Sequence, residues 1–377
     1  MKLKLVSIFV LVLVFMACEN QPTVFDDFGS TSVFFPYQTP ARTLVLGNYD
    51  LGFNDNDNNG RFEIGVVMSG VYENTKDRTI HFELAPELIN ATTLGVDTVN
   101  VKMLPASYYT IEKPSPVVIP AGSVNGRIPI QLSDAFFDDP LSFAKFGDVH
   151  YVIPLKITNY EQIDSLLVGV PLVDNPIKIK DEDWQKLPKD YTLFGIKFMN
   201  KYSGKHLRRG ENVITGTKDS VNVKSGNSVI TPVNDKAVYR AEYIVKDDVT
   251  SLITSGKNQV TNTYRINRGS IPSDDDLSIN MQFADNGDIT VSPVEGSNQT
   301  VVGTGKWVAE GDEWGGKKHS TIYLDYQFNE STVVEIKKRG KVTDRITVDL
   351  LHHVIDTLVM RDRDVKFEEF VIDLEKP

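Results

Sequence analysis

Apolar residues in this chain recur at every second position in short runs, and Pro or Gly interrupts the runs at intervals of roughly 8–12 residues. A period of two puts alternate side chains on opposite faces of an extended strand, so the pattern demands sheets and leaves little for helices. Residues 79–84 show it most cleanly, with Ile80, Phe82 and Leu84 on one face and Thr79, His81 and Glu83 on the other. Comparable runs fall at 32–37, 42–46, 61–71, 108–112, 117–119, 127–132, 150–157 and 191–198. Only 134–146 could hold a short helix. The expectation is an all-β chain whose residues 31–199 form an Ig-like β-sandwich. Residues 173–189, with Pro176, Pro188 and Trp184, read as a connecting stretch.

The second half is a meander of runs from 237–245 to 341–351, with turn signals at Asn286-Gly287, Gly315-Gly316 and Arg339-Gly340. About eight strands in series must close on themselves or pair with a second sheet to remove their edges. The sequence therefore predicts an antiparallel, lipocalin-like β-barrel over 200–377, with a second sandwich as the alternative.

The chain opens with Lys2 and Lys4, an apolar run over 5–16 broken only by Ser7, and Ala17-Cys18. This is the layout of a secretory signal, too short for a span of roughly 20 apolar residues. A Cys directly after a small residue at its end reads as a lipoprotein signal. Residues 1–17 would be removed, Cys18 lipidated, and polar 18–30 would serve as a tether. Cys18 is the sole cysteine of the 377 residues, so its acylation leaves no thiol for disulfides or zinc-thiolate sites. Net charge is −11, and loss of Lys2 and Lys4 makes it −13 (−11 minus 2). An acidic chain without a basic patch argues against a nucleic-acid partner and against direct contact with anionic lipid. The address predicted is the outer membrane, lipid-anchored and facing the cell surface.

Signatures of catalysis are missing. G-x-S-x-G and H-E-x-x-H do not occur, and Asp274-Asp275-Asp276 is not followed by the Glu of a D-x-x-D-x-D-x-E motif. His352 and His353 are neighbours in a strand and point to opposite faces. The chain is therefore expected to have no catalytic residues and no cofactor, with one possible exception. Asp55, Asp57 and Asn59 precede Gly60 in the spacing that opens a calcium loop, although position twelve is Val66 rather than Glu. A polar hairpin loop is the competing reading. Two carboxylates suffice for a glycosidase, and sequence does not say which approach each other, so an unrecognised glycosidase stays open.

A saccharide site needs flat aromatic faces for sugar C–H groups and polar groups for hydroxyls. Trp314, in the Gly-containing loop before residues 321–328, is the expected exposed platform, with Tyr323 and Asp325 on the polar face of the following strand. Trp307 reads as core.

Several segments in order carry a family resemblance: VFFPYQTPARTLVLG, GRFEIGVVMSGVYEN, LPASYYTIEK, IQLSDAFFDDPLSFAKF, YVIPLKIT and NKYSGKHLRRG. They resemble Bacteroidetes surface lipoproteins carrying a domain of unknown function that also sits at the N-terminus of some secreted family 18 endo-N-acetylglucosaminidases. GTGKWVAEGDEWGGKKHSTIYLDYQF looks like the β-rich domain that follows it. The resemblance implies a non-catalytic glycan-binding lipoprotein whose partners are an oligosaccharide, the outer membrane through its anchor, and an outer-membrane glycan importer complex. An adhesin-type or structural surface protein with a protein partner is the other class the sequence leaves open.

Overall fold

The computed structural model describes residues 27–49, 52–143, 148–267 and 275–375. The expected leader, Cys18 and most of the tether lie outside the described residues.

Among the described residues fourteen strands precede residue 200. They are β1 (Ser32–Phe34), β2 (Pro40–Val45), β3 (Arg61–Ser69), β4 (Arg78–Leu84), β5 (Thr98–Val99), β6 (Lys102–Met103), β7 (Tyr109–Ile111), β8 (Val117–Ile119), β9 (Asn125–Leu132), β10 (Tyr151–Glu161), β11 (Ser165–Leu166), β12 (Val170–Pro171), β13 (Trp184–Lys186) and β14 (Tyr191–Met199). One sheet has the order β11-β1-β3-β9-β7, and the other contains β2-β14-β10-β4-β8. Alternate residues of β3 and β9, among them Ile64, Val66, Ile128 and Ile130, meet Ile80, Ile153 and Leu155 of the second sheet in one core. Most pairs are antiparallel, but β1 runs parallel to β11, β2 to β14 and β6 to β10. The second sheet is covered on its outer face as well, where Leu193 and Val152 pack with Ile179, Phe370 and Ile372. Burial on both faces explains why Tyr151–Leu155 is unbroken apolar sequence rather than an alternation.

The stretch read as a connection is folded onto this sandwich. Trp184 donates its indole N–H to the Ile177 carbonyl at 2.9 Å, Asp183 accepts from Ile177 N and Lys180, and Lys178 pairs with Asp190. The expected short helix is present as Asp134–Asp138.

The second unit comprises β15 (Gly204–Asn222), β16 (Ser228–Tyr239), β17 (Asp248–Gly256), β18 (Gln259–Arg265), β19 (Asp276–Phe283), β20 (Asp288–Pro293), β21 (Val301–Val308), β22 (Glu313–Trp314), β23 (Lys317–Lys318), β24 (Thr321–Lys338) and β25 (Lys341–Asp362). Antiparallel pairing runs β15-β17-β18-β19-β20-β21-β24-β25 and returns from β25 to β15, which closes the barrel. Its core is the inward face of each strand: Leu277, Ile279, Met281 and Phe283 on β19, and Ile322, Leu324, Tyr326 and Phe328 on β24. Gly303 lies opposite Tyr326, where a Cβ would overlap the tyrosine's own Cβ, so glycine admits the large ring. The longest strands continue past the ring as an arm in which β16, β15, β25 and β24 pair side by side.

The chain's end does not belong to the barrel, as the sequence reading had it. After β25 it returns to the sandwich, where β26 (Glu368–Glu369) pairs with β2 and β27 (Leu374–Glu375) pairs with β5. The barrel is thus joined to the sandwich by two crossings, near residues 200 and 363. Arg363 holds them together through Asn200 O at 2.6 Å, Leu46 O at 3.0 Å and Asn48 O at 3.2 Å.

Candidate functional site

The residues singled out from sequence fall in three places. Asp55 and Asp57 sit in a one-turn helix, Asp55–Asn58, that breaks the calcium-loop spacing. Asp57 is buried and its carboxylate is taken by Arg42 at 2.5 Å and by the Val45 N–H at 2.9 Å, while the Asn59 amide donates to the Asp55 carbonyl. A helical turn docked on β2 occupies this stretch, and the Asp57 carboxylate is already engaged there. Asp325 is exposed and paired with His353 at 2.7 Å. Burial, and then Asp312 of the neighbouring loop, push the Tyr323 phenol up.

Trp314 is half-buried rather than a free platform. Its N–H goes to the Met360 carbonyl at 3.1 Å and its ring stacks on His319 at 4.5 Å. The hairpin β22–β23 is held down by Gly311 N donating to His319 O and His319 N donating to Asp312 O. Trp314 therefore braces His319 from behind.

The barrel interior carries an ionic knot that the sequence reading missed. Asp356 accepts from Arg208 Nε at 3.1 Å and Nη2 at 2.9 Å, from Tyr239 at 2.5 Å and from Tyr326 at 3.0 Å. The Arg208 guanidinium lies over the Tyr264 ring at 3.6 Å. Burial opposes the charge on Arg208, but Asp356 outweighs it and holds the group above its usual range. Burial also pushes the Tyr239, Tyr264 and Tyr326 phenols up, so they act as neutral donors. One level further along, His352 bonds Glu330 through Nε2 at 3.1 Å and Asn212 through Nδ1 at 2.9 Å, with its ring stacked on Phe328. At both levels protein side chains occupy the interior, which points to the outer surface for a ligand.

A cleft of about 480 Å³ opens where the sandwich loop after β2 faces the end of the barrel. Tyr49, Trp307 and His319 line it with Lys201, Lys318 and Arg361. Trp307, read as core, is half-buried: it meets the Tyr202 ring edge-on at 5.5 Å and carries the Lys201 ammonium over its ring at 4.9 Å. Tyr202 in turn stacks on Phe283 at 3.6 Å, which ties the cleft floor to the barrel core. A hollow of similar size beside the C-terminal strands, about 490 Å³, is lined by Asp148, Glu368, Glu369 and Asp373 and has no Trp or Tyr in its lining. The first cleft alone of these two sets Trp and Tyr rings beside polar groups, within the volume range usual for small-molecule sites. No sequence signal announced it, because its walls come from residues 47–49, 201, 307–320 and 360–363.

Residues 201–364 match the family model DUF5627, a domain of unknown function, and residues 27–164 match a model described as an N-terminal domain. The two models thus match successive stretches of the chain, one within the sandwich and one within the barrel. The crystal structure of a protein of unknown function from Bacteroides ovatus is 27% identical, covers 93% of this chain and 100% of its own, and superposes with a TM-score of 0.73. A multidomain Bacteroides ovatus protein including DUF1735 (14% identity, 91% of this chain and 99% of that one, TM-score 0.37) is also similar. So is an auxiliary nutrient binding protein from Bacteroides thetaiotaomicron (13% identity, 88% and 95%, TM-score 0.34). Superpositions as shallow as these last two carry no functional weight. No curated protein matches the chain.

Proposed function

We propose that this protein is a non-catalytic, lipid-anchored cell-surface protein that captures an oligosaccharide for a nutrient-uptake system, at the cleft between sandwich and barrel. The observation that carries the reading is the cleft's lining: Trp307 and Tyr49 offer aromatic surface, and His319 is braced by Trp314. Flat rings next to hydrogen-bonding groups are what a pyranose requires. The family resemblance of the sequence supplies the ligand class and the association with an importer, and Ala17-Cys18 supplies the anchor.

The non-catalytic part rests on where carboxylates are spent. Asp356 serves Arg208, and Asp247 serves Arg209. A general acid needs a carboxyl held above its usual range. Hydrogen bonds from Thr31 instead hold Asp164 below it, and the bond from Lys306 does the same to Asp288.

Titration calorimetry of the mature protein against a glycan panel tests the reading. Trp307→Ala, with folding checked by circular dichroism, should weaken binding about tenfold or more, the scale of roughly 1–3 kcal/mol for one large apolar side chain. Shortened oligosaccharides after incubation would make the protein an enzyme. Silence across the panel would favour the other reading, a protein partner. The feature that favours it is the arm, where Val229, Ile230 and Val333 are exposed.

A further inference from the structure

The cleft inverts the charge of the chain. The whole protein carries −11, yet five cationic side chains line the cleft against two carboxylates, Glu310 and Asp362. Those carboxylates answer only part of that charge. Asp362 lies 3.6 Å from Arg361, and it also accepts the Asp364 N–H at 2.9 Å. Among the described residues no carboxylate comes within ion-pair reach of Lys201 or Lys318, and Lys201 instead rests on the Trp307 and Tyr202 rings.

Arg363 sharpens the point. Only 6% exposed, it has three backbone carbonyls as partners and no carboxylate among the described residues, and its Nε–H is buried without an acceptor. Burial, opposed by Tyr49, brings it down to about 10, so it remains a cation at neutral pH. A buried charge without a counter-charge is costly, and an anion nearby relieves that cost. Guanidinium and ammonium groups together suit carboxylates and sulfates, the arginine by planar fork and the lysines as point charges.

We propose that the saccharide taken by this cleft is acidic, with a carboxylate or sulfate ester met by Lys201, Lys318 and Arg361 in front of Arg363, while Trp307 receives the ring. This rests on the saccharide-binding reading above. A neutral sugar would leave Lys201, Lys318 and Arg363 without an anion, so the cleft selects for charge. The net negative charge of the rest of the body repels such a ligand at long range, which makes the cationic cleft its point of entry.

The test is calorimetry with the mature protein and three acidic probes: oligogalacturonate, a sialylated oligosaccharide and a sulfated chondroitin tetrasaccharide. Each is paired with its uncharged parent at low and high salt. At least one acidic probe should bind tenfold or more tighter than its parent, with affinity falling as salt rises. The variant Lys201→Met/Lys318→Met should lose tenfold or more for that probe and most of the salt dependence. The carboxylated and sulfated arms separate the two sources of charge, and success in either supports the proposal. Equal, salt-independent affinity for the neutral parents would overturn it and leave saccharide binding standing. Binding of acidic probes unchanged in the double variant would also overturn it. Absence of binding to every probe and parent would remove both readings.

Discussion

Replacing Asp356 by Asn should be the most damaging conservative substitution in the barrel. The carboxylate is 2% exposed and accepts two bonds from Arg208 and one each from Tyr239 and Tyr326. Asn keeps the shape but removes the charge and turns two acceptor positions into donors facing other donors. Arg208, with only 12% of its side chain exposed, is left as a buried cation. Breaking one side of such a pair costs about 3–5 kcal/mol, whereas exchanging both partners for apolar residues is often close to neutral. Urea unfolding followed by tryptophan fluorescence reads the barrel, since Trp307 and Trp314 both lie in it and only Trp184 lies in the sandwich. With a slope of about 2 kcal/mol per molar urea, Asp356→Asn should lower the midpoint by about 2 M. Arg208→Met/Asp356→Leu should recover most of that loss. A cost below about 1 kcal/mol for Asp356→Asn, or a double variant no better than the single, would refute the account of the knot as a compensated ion pair.

Two further expectations concern pH and metal. His206 is fully buried, and burial, with Arg363 adding to it, holds it down to about 4, below the value near 6.5 of the unfolded chain. The folded state therefore resists the proton that the unfolded state accepts: its stability is intact above about pH 6.5 and falls by about 3 kcal/mol as pH drops towards 4. His206→Gln should flatten that part of the curve in thermal melts, and identical acid sensitivity in the variant would count against it. Asp57→Ala should cost about 1–3 kcal/mol by stranding Arg42 and the Val45 N–H, while chelator leaves the wild-type melting temperature unchanged. A chelator-induced drop that the variant abolishes would restore the calcium loop.

Strands whose one face is apolar were legible in the sequence. Residues 321–328 show Ile322, Leu324, Tyr326 and Phe328 inside and Tyr323 and Asp325 outside, as alternation demanded. The strand that closes the barrel was not. Inward positions of β15 carry Arg208, Gly210 and Asn212, so a polar interior erased the pattern, and the partner that makes Arg208 tolerable is 148 residues away. The C-terminal strands were equally silent, because β26 and β27 are two residues each and owe their place to backbone pairing with β2 and β5. At the site, Trp314 was expected in an exposed loop; it lies in the two-residue strand β22, where Met360 and His319 claim its edge and face. Trp307 was assigned to the core because it lies in a strand beside two glycines; it does pack against the barrel core, but at the end of its strand, where core and surface meet.

The return of the chain to the sandwich also dictates an order of assembly. Seen from the sandwich, everything from residue 201 to residue 363 is one long loop, and closing a flexible loop of that length costs about 4–5 kcal/mol in chain entropy beyond a constant. Two-residue strands cannot offset such a term. Once the barrel has formed, however, its two ends are already clasped by Arg363 on the Asn200 carbonyl, and the loop has in effect shrunk to almost nothing. The last strands then dock as if they followed β14 directly. The outer face of the second sheet, where Phe370 and Ile372 lie, is thus completed only after the barrel has folded, and exposed Ala41, Val152 and Leu193 mark any molecule in which it has not.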